Sequence, residues 1–203
     1  MNLFWNGLVL EMTRGPEIVG ELVRLRPIEA KDAQRMWESL QDDESMRLTG
    51  THRTFTREEI DEWTQTVSSR DGRYDFAMTS LAVTKEGTVS DEMIGEIVIN
   101  EIDDIARSAN MRLQSLPQYR GRGYGREAIS LVLDFAFSPQ PHGAGLHRLS
   151  LDVLSINPRA RMLYESLGFV QEGVLRDAHF DGENYCDVIL MSILEDDYES
   201  STS

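Results

Sequence analysis

The stretch Arg120-Gly121-Arg122-Gly123-Tyr124-Gly125 constrains this chain more than any other. Glycines on alternate positions reach backbone conformations closed to other residues and let a ligand approach the main chain. The residues before the loop, 107–114, read as a strand. After it, Ala128, Leu131, Val132, Phe135 and Ala136 recur at helical spacing until Pro139 and Pro141 stop the helix. A strand, a glycine loop and a helix start, in that order, offer unsatisfied N–H groups and the positive end of a helix dipole to a phosphate. Arg120, Arg122 and Arg126 add charge at the same place. The loop alone leaves the nucleotide open. No Gly-Lys-Ser/Thr follows, and Arg126 stands where the dinucleotide fingerprint has its third glycine. A tight turn capped by a helix is the other reading such a loop allows.

Helical and strand periods extend in both directions. Leu22-Val23-Arg24-Leu25-Arg26 alternates as a half-buried strand closed by Pro27. Ala33, Met36, Trp37 and Leu40 follow at helical spacing, and Thr56-Arg57-Glu58-Glu59 has the capping-box pattern of a second helix through Ile60, Trp63 and Val67. Strands are expected over 76–84, 92–102 and 107–114, with turn residues between the first two. A further strand covers 146–154, and a helix covers 158–167, ended by Gly168. Two last strands, 169–175 and 185–194, form a hairpin across Asp181-Gly182-Glu183-Asn184. The fold class is α/β (α+β), with a mixed, mostly antiparallel sheet of six or seven strands flanked by helices. Residues 1–20 read as an extension, 21–195 as the domain, and 196–203 as an exposed, frayed acidic tail.

Composition narrows the partners. With 40% apolar and 27% charged residues, the 203-residue chain has the balance of a soluble globular domain. No apolar run approaches the roughly 20 residues of a membrane span. The first ten residues are mildly apolar, but no basic segment precedes them and Glu11 and Arg14 follow, so a secretory leader reads poorly. Cys186 is the one cysteine, which leaves no internal disulfide and no cysteine-based zinc cluster, and a reducing cytoplasm is expected. It reads as a small apolar core group rather than a nucleophile. The four histidines lack metal-ligand spacing, so no metal is expected, and no Gly-x-Ser-x-Gly elbow marks a serine hydrolase. A net charge of −15 argues against nucleic acid and suits the steering of a cationic amine, or simply solubility.

Three segments together resemble the GCN5-related N-acetyltransferase (GNAT) superfamily. Arg120-x-x-Gly123-x-Gly125, preceded by Leu116-Pro117-Gln118-Tyr119, is similar to that family's acyl-CoA loop. Asn157-Pro158-Arg159-Ala160 through Tyr164 to Gly168-Phe169 is similar to its Asn-x-x-Ala-x-x-x-Tyr-x-x-x-Gly-Phe segment. Leu22 to Pro27 with Asp32-Ala33 looks like its first strand and helix. Glu172-Gly173-Val174-Leu175-Arg176 and Phe135-Ala136-Phe137 with Leu146-His147-Arg148-Leu149 resemble the branch holding ribosomal-protein alanine and spermidine/spermine N-acetyltransferases.

The resemblance implies direct acetyl transfer from acetyl-CoA to an amine, either a protein N-terminus or a polyamine or other small amine. Main-chain groups of Leu113, Ser115 and Leu116 would pair with the pantetheine arm, and the diphosphate would lie on Arg120, Gly121, Arg122, Gly123, Tyr124, Gly125 and Arg126. Asn157 would contact the cofactor arm, and Tyr164 would protonate the departing thiolate. On periodicity alone Tyr164 is a core residue of an amphipathic helix. Glu96 is the first choice of general base, with Glu101 on the same strand, Asn110 and Gln114 on the next, and Asp152 as other polar groups near the cleft. His147 reads as a local structural contact. A homodimer is compatible with exposed sheet edges, and a non-catalytic acyl-CoA-binding module is the alternative role.

Overall fold

The computed structural model describes residues 15–202, with side chains through residue 200. The expectations for residues 1–14 lie outside the described residues. One sheet of eight strands organises the molecule: β1 (Ile18–Val19), β2 (Val23–Pro27), β3 (Tyr74–Ser80), β4 (Met93–Asp103), β5 (Ser108–Ser115), β6 (Arg148–Leu154), β7 (Val170–Phe180) and β8 (Tyr185–Leu194). Their spatial order is β1-β2-β3-β4-β5-β6-β8-β7, and among the described residues only β5 and β6 run parallel. The mixed, mostly antiparallel sheet is as expected, but it has eight strands rather than six or seven. The extra strand is β1, two residues of the supposed extension, which pair Ile18 with Leu25 and Val19 with Arg24. Two residues carry too little pattern for a period of two to register.

Helix α4 (Tyr124–Phe137) covers one face of the sheet. Its Ala128, Ile129, Val132, Leu133 and Ala136 are fully buried in one cluster with Phe76, Met78, Ile97, Ile99, Met111, Leu149 and Leu151 from the central strands. The opposite face of β3 and β4 meets α1 (Ala33–Ser39) and α3 (Arg57–Thr66) through Ala33, Met36, Ile60, Ala77 and Met93. The capping box of α3 forms as the sequence indicates. The Thr56 hydroxyl accepts from Glu59 N–H at 3.2 Å, and the Glu59 carboxylate accepts from Thr56 N–H at 2.8 Å. Arg26 and Asp32, 6% and 2% exposed, join β2 to the start of α1 in a two-pronged pair at 2.7 and 2.8 Å.

Four further elements differ from expectation. Helix α2 (Asp43–Leu48) is new, six residues long and capped by Asp42, whose carboxylate accepts from Ser45 N–H at 2.9 Å. Strand β3 stops at Ser80, whereas β7 continues past Leu175 to Phe180. The acidic end is ordered as α6 (Glu195–Thr202), with the Tyr198 hydroxyl donating to Asp134 at 2.6 Å. Helix α5 (Pro158–Glu165) completes the set, with Gly168 at φ 95° beyond it.

Candidate active site

Strands β5 and β6 pair over only three positions, Ser108 with Arg148, Ala109 with Leu149, and Asn110 with Ser150. Beyond these rungs the two strands diverge. On its other side β5 stays paired with β4 as far as Gly95 and Ser115, and Leu116 N–H donates to Ile94 C=O at 3.0 Å. Antiparallel pairing alternates, so Gln114 and Leu116 turn their main-chain groups toward β4, and Leu113 and Ser115 turn theirs toward the gap. The expected Leu113 and Ser115 therefore face the open strand edge, although the Ser115 C=O already accepts from Arg120 Nε at 3.3 Å. Leu116 does not: its amide belongs to β4, its carbonyl accepts from Tyr119 N–H, and its side chain is buried.

The gap opens into a cleft of about 1720 Å³ that reaches from α1, α2 and α3 across β4, β5 and β6 to the glycine loop and α5. At the loop, Gly121 and Gly123 adopt φ of 77° and 89°, and Gly123 caps α4. A Cβ at Gly125 would touch Leu113, which shows how closely the helix start lies on β5. Amide groups of the six residues from Gly121 to Arg126 find no acceptor among the described residues, and the first helical bond is Glu127 N–H to Gly123 C=O at 3.1 Å. Six consecutive free donors leading into a helix start have the chemistry to receive an anion.

The arginines divide in their roles. Arg120 does not face this receptor. Its guanidinium reaches Asp42 at 2.8 Å, Glu44 at 3.0 Å and Ser45, and its own N–H donates to Pro117 C=O. The expectation that Arg120 holds phosphate is thus revised: two carboxylates already engage its charge, and it ties the loop to α2. Arg126 donates to the Ser166 hydroxyl at 2.5 Å and lines the cleft. Arg122 lies over the Tyr119 ring, 5.9 Å from its centre. The Tyr124 hydroxyl accepts from Ser80 at 3.2 Å, so only its main chain belongs to the loop. Arg159, not among the site residues expected from the sequence, lines the cleft with a guanidinium nitrogen beside Gly121. No local pattern marked it, because the fold alone brings α5 to the loop.

On the cleft floor, cross-strand register sets the polar groups in rows. Glu96 lies between Ala77 and Gln114, Val98 between Asp75 and Arg112, and Asn100 beside Asn110. Burial first, then the neighbouring Asp75 carboxylate, pushes the Glu96 carboxyl above its ordinary range, while Arg112 and Arg73 pull it back. Asp152 is also raised, by burial and then by Glu101. Glu101 stands at φ 55° where β4 bulges. Asn100 Oδ1 is buried in this wall without a hydrogen-bond partner among the described residues. Gln114 instead donates to Ser39 C=O at 3.1 Å. His147 lies outside the cleft lining, with Nδ1 3.4 Å from Glu195, the local contact expected of it.

Helix α5 supplies the last wall. Asn157 Oδ1 accepts from Ala160 N–H at 3.2 Å, which caps the helix and leaves the amide NH₂ without an acceptor among the described residues. Tyr164, 8% exposed, packs its ring edge-on to Phe169 and borders the cleft. Burial pushes its hydroxyl up to about 12, so it remains protonated through the neutral range. Tyr164 is therefore both a buried helix residue and part of the cleft wall. The cleft thus joins an anion receptor, an open strand edge, a proton-holding tyrosine and raised carboxyls.

A family model described as an acetyltransferase (GNAT) domain matches residues 23–170. Among characterised proteins, spermidine N(1)-acetyltransferase of Vibrio cholerae serotype O1 is 38% identical over 106 residues, 52% of this chain and 59% of that protein. The match thus spans about three fifths of that relative's length. The putative ribosomal N-acetyltransferase YdaF of Bacillus subtilis is 23% identical over 182 residues, 89% of this chain and 96% of that one. A crystal structure of the Vibrio cholerae spermidine N-acetyltransferase with CoA and spermine superposes with a TM-score of 0.74 at 27% identity, over 87% of this chain and 98% of that one.

Proposed function

The chain belongs to the GNAT acetyltransferase family, and from that premise we propose that it transfers an acetyl group from acetyl-CoA directly to a small polyamine. The observation that carries this reading is the run of six free N–H donors, Gly121 to Arg126, placed beside the open edge of β5 in one cleft. The receptor suits a diphosphate, with Arg126 and Arg159 beside it. The edge at Leu113 and Ser115 suits the amides of a pantetheine arm, which would add as a strand does. The acidic groups lining the cleft, Glu96, Glu101 and Asp152 among them, and the name of the Vibrio cholerae relative support a polycationic acceptor. The breadth of the cleft and the Bacillus subtilis relative support a second reading, a protein N-terminus.

In this mechanism the Glu96 carboxylate takes the proton of the incoming ammonium. The free amine attacks the thioester carbonyl carbon, and main-chain N–H groups at the open edge stabilise the charge that develops on oxygen. As the C–S bond breaks, Tyr164 donates its hydroxyl proton to the thiolate and is restored by the second proton that the nitrogen loses as the amide forms. A donor near 12 serves a thiolate whose thiol titrates at roughly 8.5 only when the two are held together, which is what a buried, ring-packed tyrosine provides. Self-association is part of the proposal, through the exposed edge strand β7 with Val170, Val174, Leu175 and Phe180 on its surface.

Tyr164→Phe tests this directly. The variant is expected to lose about a hundredfold in kcat with polyamine acceptors and to keep its affinity for CoA, measured by calorimetry. Unchanged turnover would remove Tyr164 from the chemistry, and a wild-type protein that binds no CoA would make the cleft a site for another ligand. An acceptor panel of polyamines and peptides decides between the two acceptors.

A further inference from the structure

Gly20 to Val23 makes a tight turn between β1 and β2, closed by Gly20 N–H to Val23 C=O at 2.9 Å. The next three N–H groups converge on a single side chain. Glu21 donates to Glu127 Oε1 at 2.9 Å, and Leu22 and Val23 donate to Oε2 at 2.7 and 2.6 Å. Glu127 belongs to the first turn of α4, and its own N–H forms the first bond of that helix, to Gly123. The turn also touches the glycine loop directly, since a Cβ at Gly123 would come within 3.3 Å of Leu22 Cδ1. At Gly20 a Cβ would come within 2.8 Å of the Glu127 carboxyl. Turn, carboxylate and loop are therefore packed as one unit across about a hundred residues of sequence.

A carboxylate at the start of a helix faces the same donors and dipole that would receive a diphosphate, and it would repel that ligand. Here the carboxylate oxygens are turned to a different set of amides, and the six from Gly121 to Arg126 stay free. We infer that Glu127 is a positioning residue of the diphosphate receptor: it ties the β1–β2 turn against Gly123 and so holds the loop amides in their converging arrangement. This rests on the acetyl-CoA reading. Glutamine at 127 places an NH₂ where one carboxylate oxygen now accepts, so at least one of the three bonds is lost. The Gly20→Ala change pushes a methyl group into the carboxyl and against Leu131 Cδ1, 3.0 Å away, without reaching the glycine loop.

The test compares acetyl-CoA with S-acetylpantetheine, which has the thioester arm and no diphosphate. Glu127→Gln and, independently, Gly20→Ala are expected to raise KM for acetyl-CoA about tenfold, the loss of one charge-assisted hydrogen bond at 1.4 kcal/mol per decade. For both variants, kcat at saturating acetyl-CoA and kcat/KM for S-acetylpantetheine should stay within about twofold of wild type. Equal losses with both donors would make the turn a general structural support and overturn the inference, as would unchanged KM values in both variants. If wild type itself has no affinity for CoA, the functional reading fails, and the role of Glu127 fails with it.

Discussion

Glu96, the proposed base, shows what burial costs a carboxyl. Its carboxyl is raised by burial and by Asp75, so it binds a proton more firmly when folded than when unfolded. For a carboxyl raised in the folded state, ionisation opposes folding. The penalty is complete above the folded value and disappears as pH falls below the unfolded one. Glu96→Gln is therefore expected to raise Tm at pH 7 while lowering kcat/KM by about 10²- to 10⁴-fold, and to abolish the acidic limb of the rate profile. Thermal melts and a pH series check both halves, and a lower Tm with an unchanged profile would remove Glu96 from the role. A glutamate on a strand was visible in the sequence, but its surroundings were not, because Asp75 and Arg112 join it only through register. Arg120 teaches the reverse. Its charge was legible, whereas its carboxylate partners, Asp42 and Glu44, are more than seventy residues away and on a helix too short to show a period.

Among the elements, legibility followed length and capping. The box at Thr56 and Glu59, the glycine loop before α4 and the asparagine cap of α5 are local devices, and each formed where its residues stood. Strand β1 and helix α2 rest on tertiary pairing, and no local pattern announces them. The joint between β2 and α1 depends on one buried ion pair, Arg26 with Asp32, whose guanidinium is held charged by Asp32 and Asp91 against the opposing effect of burial. Arg26→Met is expected to destabilise by about 3–5 kcal/mol, because Asp32 is left as a buried charge without its partner. Denaturant unfolding measures this, and the double change Arg26→Met with Asp32→Leu should recover much of the loss. A single variant as stable as wild type would show that the pair contributes little to holding α1 on the sheet.

Across the whole molecule, the −15 charge acts at a distance. If the acceptor is a polycation, its kcat/KM should fall several-fold between about 0.05 M and 0.5 M salt, while kcat changes little, since screening weakens capture and leaves the bound complex alone. A flat salt dependence would point to an acceptor of lower charge. The fold class and the hairpin of β7 and β8 were legible, and so, in hindsight, was which strand of the hairpin lies inward. Strand β8 has an apolar run, Val188-Ile189-Leu190-Met191, whereas β7 mixes Gln171, Glu172, Arg176 and Asp177 among its apolar residues, the mark of an edge. The three-rung junction was not legible, because nothing in either strand alone says where its neighbour leaves it. Yet that junction divides the sheet into a block of five strands and a block of three, and the latter is internally fastened by seven rungs between β6 and β8. A molecule jointed in this way keeps its seam partly unstitched, and on the proposed reading a guest laid along the seam would supply the missing thread.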